Sequence, residues 1–138
     1  MKVKSIFEKM EYGPAPESAT PALDWLTQHN KQFNLFIDGG WHKPGGGKYF
    51  NSINPSNKTV LAGIAEGSVK DVDFAVKSAR KALPGWVKIG AHARAKYLYA
   101  LARQIQKNSR LFAVLESLDN GKPIRETRDI DIPLSARH

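Results

Sequence analysis

At Ser68 the apolar residues of this chain change their spacing, and that switch limits the possible architectures more than any other feature. Upstream, short runs suited to strands alternate with turn residues. Leu35-Phe36-Ile37 leads through an Asp38-Gly39-Gly40 turn to Trp41, and Lys48 to Ile53 forms a second run, joined around Pro44-Gly45-Gly46-Gly47. Asn54-Pro55-Ser56-Asn57 is a turn, and Thr59 to Ala65 is a third strand. Downstream, apolar residues recur every three or four positions, which is the helical period. The order is strands first and helices after, which reads as an α/β chain, mainly helical, with a small N-terminal antiparallel β-hairpin or three-strand element.

The helices carry their own start and stop signals. Ser68 with Asp71 three residues on is a capping-box pair, and Val72, Ala75, Val76, Ala79, Ala82 and Leu83 mark a face to be buried before Pro84-Gly85 stops the helix. A second helix is expected from Ala91 to Lys107, with Leu98, Leu101, Ala102 and Ile105 on one stripe. Lys96, Arg103 and Lys107 fall opposite that stripe, on the wet face, whereas Arg94 falls on the apolar side. A guanidinium there must be paired, and Glu116 or Asp119 are the expected partners. A third helix carries Leu111, Phe112, Val114, Leu115 and Leu118, and Asn120-Gly121 caps it with a left-handed turn before Pro123 opens a short helix over Ile124 to Arg128. Glu116 and Asp119 sit on the last turn of that third helix, where the dipole disfavours negative charge, so something must compensate them.

Several function classes drop out on composition. None of the 138 residues is a cysteine, so the chain holds no disulfide, no thiolate metal site and no cysteine nucleophile. The four histidines, His29, His42, His92 and His138, lack the spacing that puts two on one helical turn. The triple glycine before Lys48 invites a phosphate-loop reading, but Tyr49 replaces the required hydroxyl and no helix follows, so a hairpin loop is expected. The net charge is +8, and nine basic residues lie between Phe74 and Leu115 with no acid among them. Such a block suits either nucleic acid or the solvated outside of two helices, and it lacks the interleaved exposed aromatics of a single-strand binder. No apolar run approaches the length of a membrane span, and Met1-Lys2-Val3-Lys4 leads into no signal-peptide core, so a cytoplasmic location without membrane contact is expected.

Residues 1–34 read as a lead-in with short helices: Ser5 to Met10, an extended Gly13-Pro14-Ala15-Pro16 linker, and Ala22 to Leu26. At the other end, Asp129 to His138 is apolar-rich without a cap, and the chain is expected to be part of something longer.

Glu116-Ser117-Leu118-Asp119-Asn120-Gly121-Lys122-Pro123 closely resembles a stretch in the N-terminal region of aldehyde dehydrogenases. Phe36-Ile37-Asp38-Gly39-Gly40-Trp41, Ser52-Ile53-Asn54-Pro55, Val60 to Gly67, Asp71 to Val76 with Ala79-Arg80, and Arg94 resemble further parts of that region, in order. The lead-in, from Ile6 to Pro14 with Pro16-Glu17-Ser18, resembles the family-16 branch. The resemblance implies that residues 35–138 are the first portion of an NAD(P)-binding domain. The parent enzyme would oxidise a small-molecule aldehyde to the acid with NAD or NADP, as a homo-oligomer, using a cysteine and a glutamate that lie beyond His138. The 138 residues themselves would contain no catalytic or cofactor-binding residue and be inactive. It also implies a structural monovalent cation, sodium, held by Ser52, Ile53 and Asp119, which would offset Asp119 at its helix end. The alternatives are a small basic nucleic-acid-binding protein and a non-catalytic interaction module.

Overall fold

A computed structural model describes residues 18–138. The expected helix from Ser5 to Met10, the Gly13 to Pro16 linker and the family-16-like words before Ser18 lie outside the described residues. Helix α1 (Thr20–Gln28) has Pro21 in its first turn, where a missing N–H costs nothing. Asn30 and Lys31, both at positive φ, turn the chain into strand β1 (Gln32–Phe33). Strands β2 (Leu35–Ile37) and β3 (Gly40–His42) form an antiparallel hairpin. Its two loop residues, Asp38 and Gly39, both have positive φ, the geometry whose twist matches the flanking strands.

Strands β4 (Tyr49–Ile53) and β5 (Val60–Ala65) pair antiparallel, and β1 adds in parallel to β5, giving a three-stranded sheet in the order β1-β5-β4. The glycine loop is therefore not a hairpin loop. It carries the chain from the β2–β3 ribbon to a separate sheet, because β3 has already paired with β2.

Helix α2 (Val69–Lys88) opens with the expected capping box: Ser68 accepts from the Asp71 N–H, and Asp71 accepts from the Ser68 N–H at 2.7 Å. Pro84 does not stop it. A proline forfeits one N–H bond, and the helix continues for another turn until Gly90, at φ +78, breaks it. Helix α3 (Gly90–Lys107) follows at once, then α4 (Ser109–Asn120), closed by Gly121 at φ +76 as expected. After α5 (Ile124–Glu126) the chain widens into a π-helical turn over Thr127–Asp131, and α6 (Ile132–Arg137) completes it. The expected short helix thus runs on to Arg137, with the wider turn just ahead of Pro133, whose ring would crowd the carbonyl four residues back. No described helix is long and apolar enough to cross a membrane.

The core lies where α1 and α4 meet the sheet. Leu26, Leu61 and Ala62 are buried, with Trp25, Phe33, Ile64, Leu115 and Leu118 packed against them. Residues 20–33, which the sequence reading places in a lead-in, thus share one core with β5 and α4. Thr127 in the π-helical turn is wholly buried; its hydroxyl reaches the Ala113 carbonyl at 3.0 Å and the Ser117 hydroxyl at 3.2 Å. That pins the last segment to α4. Helices α2 and α3 differ entirely, for neither contains a buried residue. The face expected to be buried on α2 forms but stays open, with Val72 58% and Leu83 54% exposed.

Candidate functional site

The residues that the resemblance singles out meet where the end of β4 approaches the end of α4. Asn54 is buried, and its side-chain oxygen accepts from the Ser56 N–H at 2.9 Å, shaping a tight turn that presents Pro55. A Cβ on Gly121 would stand 2.8 Å from the Pro55 ring, closer than real Cβ contacts allow. Gly121 is thus required twice, for its left-handed backbone and for this approach. The contact sets the last turn of α4 against Ser52, whose hydroxyl donates to Asp119 Oδ1.

The two acids at the end of α4 are compensated separately. Asp119 has Ser52; Glu116 accepts from Asn120 Nδ2 at 2.7 Å. Asn120 also accepts from the Lys122 N–H at 2.8 Å, helping to close the cap. The Lys122 ammonium pairs with Asp131, which raises its pKa, and Glu116 and Glu126 add smaller contributions of the same sign.

Arg94 is not the compensating partner. Its Nη1 donates to the Trp86 and Val87 carbonyls at 3.4 and 3.3 Å, and among the described residues it forms no carboxylate pair. The reason is the extra turn of α2 beyond Pro84. That turn leaves open carbonyls, carrying the negative end of the helix dipole, just ahead of the break at Gly90.

Ser52 and Asp119 are thus brought together, and Ile53 is next in the strand. The β4–β5 register slips between Ser52 and Ile53, leaving Leu61 of β5 without a partner. A slip of this kind disrupts the ladder where the carbonyls of Ser52 and Ile53 lie. The donors that the resemblance implies, one carboxylate with main-chain oxygens, are of the kind that suits a hard cation of low charge rather than a transition metal. No cluster of three or more histidine, cysteine or acidic side chains among the described residues could hold a metal ion. Beside this point a cleft of about 670 Å³ opens between the sheet and α4. Leu26, Phe33, Leu61 and Leu115 line it, and among the described residues Glu116 and Asp119 are its only charged side chains.

The glycine loop offers nothing to a phosphate. The Gly45 N–H donates to both oxygens of Asp71, at 3.1 and 3.0 Å, so a carboxylate already sits in its cradle. Together with the Ser68 hydroxyl and N–H, these bonds hold the Asp71 pKa below its ordinary value. Nothing local in the sequence signals a partner 26 residues away. The basic block lies along α2, α3 and the start of α4. Contrary to the sequence reading, exposed aromatics do accompany it, since Trp86, Tyr97 and Tyr99 are all accessible. Trp86 and Tyr97 pack on each other, with ring centres 5.7 Å apart.

Comparison with known proteins follows the same residues. The sequence profile of the aldehyde dehydrogenase family matches residues 41–138. An aldehyde dehydrogenase of Vibrio cholerae is 39% identical over 126 residues, covering 91% of this chain and 24% of the relative. Among solved structures, HpcC from Thermus thermophilus superposes with a TM-score of 0.78 at 28% identity, over 86% of this chain and 23% of its own. An NAD+ complex of a Bacillus cereus aldehyde dehydrogenase gives 0.75 at 33% identity, over 92% of this chain and 25% of its own. The chain spans about a quarter of the length of the proteins it matches.

Proposed function

This chain belongs to the aldehyde dehydrogenase family, and on that premise we propose that it forms the N-terminal quarter of an enzyme that oxidises an aldehyde to a carboxylic acid. Its partner is the remaining three quarters of a family-length polypeptide. The observation that carries this reading is the pair α2–α3, whose apolar faces are regular yet contain no buried residue. A helix of that kind draws its stability from a surface laid against it, not from its own propensity.

In this reading the nicotinamide cofactor, NAD or NADP, accepts hydride in a part of the enzyme outside these residues. With no cysteine, the chain has no thiolate to add to a carbonyl, so it is inert alone. Its role is to supply a folded corner, with residues 35–138 beginning the dinucleotide-binding domain. Homo-oligomers in the cytoplasm belong to the same reading.

The Ser52, Ile53 and Asp119 corner is assigned to a structural sodium ion. The support is the Ser52–Asp119 contact, the register slip beside it and the all-oxygen donor set. Thermal stability should rise in sodium chloride and not in choline chloride, and Asp119→Ala should abolish the difference; superimposable curves for the wild-type chain would reject the ion.

Complementation tests the main proposal. The purified chain is mixed with the remaining three quarters of the Vibrio cholerae relative, and NADH formation from acetaldehyde is followed. Activity is expected from the mixture and from neither piece alone. A chain that proves monomeric and sharply two-state by itself, and restores nothing, would overturn the proposal.

A further inference from the structure

A second pocket, of about 440 Å³, opens at the C-terminal end of α1 and shares Trp25 and Phe33 with the cleft beside the acidic corner; it is within the size range of small-molecule sites. Its wall is aromatic. Trp25 and Phe33 lie nearly parallel, 14° apart with centres 5.5 Å apart, and His29 lies against both, tilted 34° from Trp25 at 4.1 Å and 6.0 Å from Phe33. The wall is held in place because Trp25 and Phe33 also pack on the Leu26, Leu61 and Ala62 core. Trp41 of the β2–β3 hairpin contributes to the lining from a different element.

The rest of the lining is carboxamide: Gln28, Asn30, Gln32 and Asn34. The Tyr49 hydroxyl donates to Asn34 Oδ1 at 2.7 Å, which fixes that side chain and leaves its N–H₂ to donate. His29 Nδ1 lies 2.8 Å from the Trp25 carbonyl, which can only accept, so Nδ1 is the donor and Nε2 is left to face a ligand. Among the described residues no lysine, arginine or carboxylate lines the pocket, in a chain with 21 basic and 13 acidic residues.

We propose that this pocket binds a neutral polyhydroxylated ring, a pyranose or a cyclitol, with its C–H face on the Trp25–Phe33 wall. A hydroxyl is at once donor and acceptor, and so is a carboxamide, so a ring of hydroxyls finds both complements around its edge. An ionic ligand would find no lysine, arginine or carboxylate among the described lining residues. A flat aromatic ligand would cover the wall but leave the surrounding carboxamides unmatched. None of the described lining residues belongs to the Ser52, Ile53 and Asp119 corner or to the α2–α3 pair, so failure of the test below leaves the aldehyde-oxidising reading standing.

The test is saturation-transfer NMR on the full chain with methyl β-glucopyranoside and with myo-inositol, alongside tryptophan fluorescence titration. Transfer to ring C–H protons is expected from at least one polyol, with Kd on the order of 1 mM, as suits an open, one-walled site. Gln28→Ala and Gln32→Ala, both at exposed positions, should each weaken binding about fivefold, the loss of one neutral hydrogen bond, with an unchanged circular dichroism spectrum. Absence of transfer from both polyols would overturn the proposal. So would unaltered affinity in the Gln28→Ala, Gln32→Ala double variant, or tighter binding of indole or adenosine than of either polyol.

Discussion

The corner built from α1, the three-stranded sheet and α4 and the long pair α2–α3 are comparably regular, yet only the first encloses its apolar residues. Leu26, Leu61 and Val114 are each no more than 6% exposed, while Leu98 of α3, on an equally clear stripe, is 61% exposed. The difference is not one of helix formation, since α2 has a full capping box and 20 residues. It is one of partners: α1, β5 and α4 meet one another around a shared core, whereas the long helices touch the β2–β3 hairpin, each other, α4 and the short α6, and no residue of theirs becomes buried. Periodicity therefore specifies which side of a helix is to be dried and says nothing of what will dry it.

Leu26→Ala or Leu61→Ala should strike the packed corner hardest, at about 2–5 kcal/mol in urea unfolding, because each removes contacts from an interior that relaxes only partly. A loss below about 1 kcal/mol would mean that this corner is no better filled than the helical pair. Gly121→Ala comes next, at about 1–3 kcal/mol, since it forces a left-handed backbone on an L side chain and drives a Cβ into Pro55. Thr127→Val belongs to the same range, as it removes the buried hydroxyl that donates to the Ala113 carbonyl.

Smaller effects come from titration, and they separate by sign. Asp71 has a folded-state pKa below its unfolded value, so its contribution is complete above about pH 4 and fades as pH falls through the folded value. Asp71→Asn should flatten that acid limb of the stability curve. Lys122 has a raised pKa, so its contribution is complete below its ordinary value near 10.5 and fades at higher pH. Lys122→Met should flatten the alkaline limb instead. If both variants altered the same limb, one of the two assignments would be wrong. Smallest of all, Val72→Ala and Leu98→Ala should change stability by less than about 0.5 kcal/mol in the isolated chain. In the complemented enzyme the same substitutions should reduce activity, and equal insensitivity in both states would remove the contrast between the two regions.

Much of the fold was legible because short-range rules decided it. Ser68 with Asp71 start α2, Asp38-Gly39 turn the hairpin, and Gly121 ends α4, each for a reason confined to a few neighbours. Pro84 misled because a proline weakens a helix without being obliged to end it. The error carried over to Arg94, whose partners became available only through the turn that Pro84 failed to prevent. At the candidate site, Ser52 and Asp119 are 67 residues apart, and no local rule joins them. The family resemblance named them, and the Gly121–Pro55 contact explains how they meet. Asp71 with Gly45, and the Trp25–His29–Phe33 stack, had no sequence signal beyond ordinary spacing.

Strand β4 lies at the edge of its sheet and pairs only with β5 among the described residues. It reads Tyr49-Phe50-Asn51-Ser52-Ile53, with no charge and no proline, and both Phe50 and Ile53 are exposed. Charged or proline-bearing edges deter a stray ribbon from joining, and this one has neither deterrent. The purified polypeptide should therefore self-associate into fibrous aggregates as its concentration rises, and Phe50→Lys should delay their seeding without disturbing the monomer.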